Sequence, residues 1–433
     1  MSLPNATKVL VIGYVWPEPR SSAAGGHMMQ ILETFLQQGW DITFSSPAGT
    51  GEHRDDLTAL GIREVPIELN NNSFDAFITK LAPDMVLFDR FMMEEQFGWR
   101  VEKHCPDAVR VLETSDLQSL RDARQQRLKN RLKASDDAND FSDLFAPALR
   151  EEFELMADTD LAKREIAALY RCDLNLMISE FEIELLAEQF NVPRDLLHWC
   201  PLMVDAPDSP PAPFEDRSHF IHIGNFRHAP NWDAVLWLKT TIWPLIREQL
   251  PTAQLHIYGA YTPPKATALH NTAQGFHVMN WAEDALQVMS AARVCLAPLR
   301  FGAGIKGKII DAMLCGTPNV TTPVGAEAMH GESPWPGAVT RTAREFADCA
   351  VQLYIDQTQW THAQATGLAL LADRYQLQTH GPALIAKLEY CQQHLAEIRR
   401  DNFTGSMLRH HQHKSTQYMS QWIEAKNRFK ENA

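Results

Sequence analysis

Apolar and polar positions follow a recurring pattern along the first half of the chain. A short apolar run, Lys8 to Gly13 (KVLVIG), is followed by a strand at Asp41 to Ser45 and by further buried-type strands at Met85 to Phe88, Val109 to Leu112 and Leu174 to Ser179. Such runs are too short for helices and too continuously apolar for strands with one wet face. They predict strands buried on both sides. Helical spacing fills the gaps. His27 to Gln38 puts Met28, Ile31, Leu32 and Phe35 on one side and closes at Gly39. A loop rich in Pro, Ser, Ala and Gly, ending at Gly25-Gly26, separates this helix from the first strand. Strands alternating with helices predict parallel sheets wrapped by helices.

Leu117 to about Leu169 breaks the rhythm. It is charged and helix-prone, first basic (LRDARQQRLKNRLK) and then acidic, and predicts a helical insertion. Pro201 to Pro213 (PLMVDAPDSPPAP) forbids helix or central strand and predicts a linker. Beyond it the alternation restarts: His219 to Gly224, a helix from about Asn231 to Gln249, Gln254 to Tyr258, Phe276 to Met279, a helix from about Asp284 to Ala292, and Val294 to Leu299. Arg344 onward is mostly helical, and Gln417 to Lys430 has the spacing of a last amphipathic helix. The predicted fold is α/β, with two Rossmann-like doubly wound domains facing each other across a cleft. They span 1–203 and 219–405, joined by 204–218. Ligands of such sheets sit at the carboxyl ends of the strands.

Composition narrows the picture. A chain of 433 residues exceeds one ordinary core, which supports two domains. A net charge of −14 argues against nucleic acid as the main partner. The seven cysteines are scattered, without a CxxC, as expected of reduced thiols in a cytoplasmic protein. The N-terminus has no secretory pattern, and no run of about 18 apolar residues exists to span a membrane. Membrane contact, if any, is peripheral. The basic stretch Arg121 to Lys133 reads either as a site for anionic lipid or as a solvated helix face. Oligomeric state is left open.

The densest chemistry lies between Ala297 and Met329 (APLRFGAGIKGKIIDAMLCGTPNVTTPVGAEAM). An apolar strand runs into a bend at Gly302 and Gly304. Lys306 and Lys308 follow as a helix begins, Asp311 sits on that helix, which ends at Cys315-Gly316, and Pro318 opens another strand. Strand, glycine turn and helix N-terminus form an anion site, where free N–H groups and the positive helix end favour a phosphate. The plainer alternative is a tight turn before a solvated helix start.

Several segments together resemble the retaining glycosyltransferases of the GT-B fold, family 4 type. They are FIHIGNFRHAPNWDAVLWL (220–238), QLHIYG (254–259), HVMNWAEDALQVMSAARVCLAPLRFGAGIKGKIIDAM (277–313) and GTPNVTTPVGAEAM (316–329). The first half fits more loosely, through strand one, the Gly25-Gly26 loop and VLETSDLQSLR (111–121). The resemblance implies a donor nucleotide in the C-terminal domain, an acceptor against the N-terminal one, and a closing helix (406–433) that returns to the N-terminal domain. Gly302 and Gly304 would shape the diphosphate loop, and Lys306, Lys308 and Arg227 would neutralise it. Asp311 would grip the ribose. Asp116 or Glu327 would orient sugar hydroxyls. Gly224, Gly25 and Gly26 would line the donor site. Where the family has a first glutamate this chain has Ala303, where it has a lysine this chain has Asn231, and where it has a histidine Ser115 stands beside Asp116.

The implied activity is sugar transfer from a nucleotide diphosphate to a hydroxyl of a glycan or lipid-linked acceptor in cell-surface polysaccharide synthesis, without metal or other cofactor. Two rivals stay open: a nucleotide-sugar epimerase on the same fold, and a weakened sugar-nucleotide-binding or scaffold subunit. Asp158-Thr159-Asp160, a DxD triplet, reads as coincidence because it falls in the helix-prone insertion. Arg409 to His413 reads as a surface loop, and Trp232, Trp237, Trp243 and Trp281 as packing residues.

Overall fold

The computed structural model describes residues 6–134, 140–145, 148–205, 207 and 209–431. The N-terminal sheet contains β1 (Lys8–Ile12), β2 (Asp41–Ser46), β3 (Arg63–Pro66), β4 (Met85–Asp89), β5 (Val109–Glu113), β6 (Leu174–Met177) and β7 (Leu197–Trp199). Its order is β3-β2-β1-β4-β5-β6-β7, with every pair parallel. The C-terminal sheet contains β8 (Ser218–Ile223), β9 (Leu255–Tyr258), β10 (Phe276–Asn280), β11 (Ala292–Ala297), β12 (Asn319–Thr321) and β13 (Gly337–Val339). Its order, β10-β9-β8-β11-β12-β13, repeats the doubly wound plan. Each sheet therefore has a switch point, between β1 and β4 and between β8 and β11, where successive connections leave on opposite faces and open a crevice.

The central strands of the N-terminal sheet are buried apart from Lys8 at the start of β1, as their largely apolar runs require. Three strands escape the pattern reading: β3, β7 and β13. They lie at sheet edges, are three or four residues long and only partly buried, so no continuous apolar run marks them. The strand read as Val294 to Leu299 ends earlier, at Ala297, because Pro298 has no N–H for the ladder.

Two helices also differ from expectation. The first starts at Ala23, capped by the Ser22 side chain, so Gly25 and Gly26 lie in its first turns rather than in a loop. The helix expected from Asn231 runs from Ala229 to Gln249 and widens into a π turn at Leu238–Ile242. Pro244 explains the turn: its ring and missing N–H cannot fit regular α-helix.

The expected insertion forms helices Gln118–Ala134, Leu149–Met156 and Asp160–Arg171. It is more than an appendage. Leu128, Phe141, Leu144 and Phe145 join the core of the C-terminal domain, where Phe141 meets Trp237 edge-on at 5.5 Å. Asp140 bridges Thr342, and Arg341 donates to the Phe145 carbonyl at 2.8 Å. The insertion thus straps the two domains together.

The chain returns to the N-terminal domain earlier than position 406. Val204 and Gln376 form a β-bridge beside each other, and the helix Leu377–Gln393 packs Leu384, Ile385, Leu388 and Cys391 into the core beside Val9, Val11 and Phe35. The last helix begins at Phe403, not Gln417, and runs to Glu431. Arg409 and His410 are helical rather than looped, and the side chains of residues 411–413 lie outside the described set. Among the described residues, no helix is long and apolar enough to cross a membrane.

Candidate functional site

The two switch points face each other across a cleft of about 740 Å³. From the N-terminal side come Tyr14 and Ser22 after β1, Arg90 after β4, and Ser115 and Asp116 after β5. From the C-terminal side come Gly224 after β8, Tyr261 after β9, Trp281 after β10, and the loop and helix bearing Gly302, Lys306, Lys308 and Asp311. Each of these residues sits just beyond the carboxyl end of a strand or on the helix that follows.

The loop glycines have different duties. Gly304 has φ +63°, a left-handed conformation suited to glycine. A Cβ there would lie 3.0 Å from the Asp116 Cβ and 3.2 Å from the Ser115 carbonyl oxygen. Gly302 opens toward Lys306. At Gly224 a Cβ would strike the Asn231 amide group at 2.5 Å. Gly25 permits close packing on the Glu18 backbone and is not part of the wall, whereas Gly26 has nothing within 4 Å of its missing side chain and faces the cleft.

Lys306 is buried and folds back to donate to the carbonyls of Ala303 (3.2 Å) and Gly304. Lys308 donates to Asn231 Oδ1 at 2.7 Å, and Asn231 in turn donates to the Asn225 carbonyl at 3.0 Å. Burial lowers both ammonium groups to about 8. Burial raises Asp311, one helical turn beyond Lys308, to about 7, opposed by the charge of Lys308. The helix Gly307–Leu314 begins between the lysines, so its free N–H end opens on the cleft. Arg227 is exposed, with its guanidinium carbon 3.4 Å from the centre of the Tyr261 ring.

Asp116 faces the cleft and pairs with Arg121. Burial alone would raise its carboxyl, but Arg121, His228 and Arg90 outweigh that and hold it below the usual carboxylate range. Glu327 is placed elsewhere. It makes a bidentate pair with Arg124 at 2.8 and 2.7 Å and is not part of the cleft wall, so the position expected to touch sugar is occupied by a structural pair.

Sequence reasoning missed the residues that hold the glycine loop from the opposite domain. Arg124 donates to the Gly302 carbonyl at 2.8 Å while pairing with Glu327 and Glu152. Glu182 accepts the Gly304 N–H at 2.7 Å and the Leu117 N–H at 3.2 Å. It is fully buried, and burial together with nearby Asp116 pushes its carboxyl up to about 8. One amide of the expected phosphate cradle is therefore taken by this carboxyl group. No local motif marks Glu182, because its partner lies 122 residues away.

The N-terminal floor is organised by Glu113. Its carboxylate accepts the Ser115 N–H (2.7 Å) and hydroxyl (2.9 Å), its carbonyl accepts the Arg90 N–H (2.7 Å), and His27 lies 3.4 Å away. Arg90 and Ser115 have φ values of 71° and 57°, backbone strain of the kind that clusters at functional sites. At the cleft mouth, Tyr261 donates to Glu18 (2.8 Å), and Trp281 stacks on His53 at 4.3 Å and donates to the Arg20 carbonyl. Trp281 is therefore a cleft residue. Trp237 and Trp243 are buried, and Trp232 packs beside them. In the DxD triplet, Thr159 caps the helix Asp160–Arg171.

Comparison with known proteins supports this architecture. Residues 217–356 match the family model described as glycosyl transferases group 1. No curated protein matches the chain. Sucrose-phosphate synthase from Thermosynechococcus elongatus aligns over 90% of this chain and 100% of its own, with a TM-score of 0.62 and 15% identity. HepE from Anabaena, solved in complex with UDP and glucose, aligns over 89% and 100%, with a TM-score of 0.61 and 13% identity. WaaG, a glycosyltransferase involved in lipopolysaccharide biosynthesis, aligns over 87% and 98%, with a TM-score of 0.58 and 12% identity. The fold is that of GT-B glycosyltransferases: two parallel α/β domains around a cleft.

Proposed function

We propose that this protein is a retaining, metal-independent glycosyltransferase that moves a sugar from a nucleotide diphosphate to a hydroxyl of a glycan or lipid-linked acceptor in cell-surface polysaccharide synthesis. One observation carries the reading: a glycine loop, buried Lys306, half-buried Lys308 and a helix N-terminus converge at the C-terminal switch point, facing an acid-bearing floor across the cleft. The family match over 217–356 and neighbours solved with UDP support the same chemistry.

Breaking the glycosidic C–O bond builds negative charge on the departing diphosphate as the sugar approaches an oxocarbenium ion. Pre-aimed cations are worth about 3 kcal/mol each to such a transition state. Lys306, Lys308 and Arg227 supply that charge, and Asp311 accepts ribose hydroxyls. A departing phosphate oxygen takes the acceptor's proton on the same face, so no separate protein base is needed. Asp116, kept ionised by Arg121, orients an acceptor hydroxyl.

A weakened sugar-nucleotide-binding subunit is the second reading, motivated by Ala303 and by the Gly304 amide already held by Glu182. A thermal-shift panel of nucleotide sugars followed by an acceptor screen separates the two. The transferase reading expects stabilisation by one donor class and release of nucleoside diphosphate that depends on acceptor. Donor binding without turnover on any acceptor favours the second reading.

A further inference from the structure

The helix Phe403–Glu431 turns an unusual face outward. Its inner side rests on helices Phe91–His104 and Asp160–Arg171 of the N-terminal domain. Arg409 donates to the Arg171 carbonyl at 3.2 Å, Ser420 to Asn70 at 3.1 Å, and Glu424 turns toward Arg100 at 4.0 Å. The outer side carries the large apolar residues. Phe403 is 73% exposed, Tyr418 65%, Trp422 59% and Phe429 79%, with Met407 and Met419 also open. Phe403, Met407, Lys414, Tyr418, Trp422 and Phe429 are spaced four or seven residues apart, which places them on one stripe ~40 Å long.

Charge identifies what covers the stripe. The chain has 54 acidic and 40 basic residues, yet the one acid from Phe403 to Phe429, Glu424, is partly buried and pairs with Arg428 at 2.6 Å, while Lys414 and Lys426 are exposed there. The ammonium group of Lys426 lies 5.1 Å from the Trp422 ring centre. Aromatic rings flanked by cations on a helix lying flat suit the headgroup region of a bilayer. A helix–helix seam between two copies would favour aliphatic residues and would not place Lys414 in the stripe. The basic stretch Arg121 to Lys133 is poorly suited to that role: Arg121, Arg124, Arg127 and Arg131 are all engaged within the molecule, leaving Lys129 and Lys133 exposed.

We propose that the outer face of helix Phe403–Glu431 docks the protein on an anionic lipid surface, with the N-terminal domain against the membrane. The inference is independent of sugar transfer. Its test is co-sedimentation of the full chain with vesicles of phosphatidylethanolamine and phosphatidylglycerol, compared with vesicles of phosphatidylcholine alone. Binding is expected to the anionic vesicles and to fall with salt. Lys414→Gln combined with Lys426→Gln should weaken partition roughly 25-fold, about fivefold for each cation removed near an anionic surface. Trp422→Ser combined with Phe429→Ser should weaken it at least as much without shifting the melting temperature, because both side chains are exposed. Equal partition to both vesicle types, or variants that sediment like the parent, would overturn the proposal. So would light scattering that shows a dimer abolished by Trp422→Ser and Phe429→Ser with no vesicle binding.

Discussion

Lys306, Lys308 and Asp311 show how burial shifts the protonation of single residues, and on the proposed function those residues meet a diphosphate. An ammonium group held near 8 loses its proton just above neutrality, and a bound diphosphate opposes that loss. Affinity for a nucleoside diphosphate should therefore fall as pH rises through about 8, whereas affinity for the nucleoside should not; calorimetry across that range checks the sign. Lys308→Ala should cost diphosphate binding about 2 kcal/mol and leave nucleoside binding nearly unchanged. Glu182 gives a stability prediction. Its folded-state value, about 8, exceeds the ordinary 4.5, so the native state holds a proton that the unfolded chain releases. Stability from that proton is present below about 4.5 and is lost as pH rises through about 8. Glu182→Gln keeps an acceptor for the Gly304 and Leu117 amides but does not titrate. Its stability relative to the parent should rise by up to about 1.4 kcal/mol per pH unit across this window, measured by denaturant titration. Gly302, Gly304 and both lysines were legible in the sequence because a strand, a turn and a helix start are local signals. Glu182 and Arg124 were not, because nothing near them in the chain reveals that they close on a loop of the other domain.

At the scale of elements, the strap formed by the insertion decides how the glycine loop is held. Arg124 on the helix Gln118–Ala134 joins Glu152, Glu327 and the Gly302 carbonyl at one point. Arg124→Ala would strip half-buried Glu327 of its bidentate partner and leave buried Glu152 with Arg127 alone, at 3.9 Å, at a cost of roughly 3 kcal/mol in unfolding free energy. Gly304→Ala would force an L-residue into the left-handed region, about 1–2 kcal/mol, and press on Asp116; diphosphate affinity should fall along with stability. The pattern of apolar runs revealed the inner strands of both sheets because burial on two faces writes an unbroken run. It missed β3, β7 and β13, whose outer edges are free. It recognised the charged segment 117–169 as helical but could not show that Phe141 and Phe145 belong to the other domain's core, since amphipathic spacing does not name the surface it will cover.

The whole molecule is two copies of one topology with their crevices turned toward each other. That arrangement was readable from the restart of the strand–helix alternation after the proline-rich linker, and the placement of the cleft at the strand ends followed from it. If the proposed chemistry holds, transfer should persist in excess chelator, because Lys306, Lys308 and Arg227 stand where a divalent ion would otherwise neutralise the diphosphate; a turnover assay with and without chelator decides it. The point of return was misplaced by about thirty residues, since Leu377–Gln393 has the spacing of any amphipathic helix.

That early return has a consequence for how the protein is made. Leu384, Ile385 and Leu388 cover one side of the first sheet, yet they leave the ribosome long after β1 to β7 have emerged. The first half must wait with an apolar flank uncovered while the entire second lobe is synthesised. A nascent chain arrested before Leu377 should therefore recruit chaperones or be cleaved within its first two hundred residues.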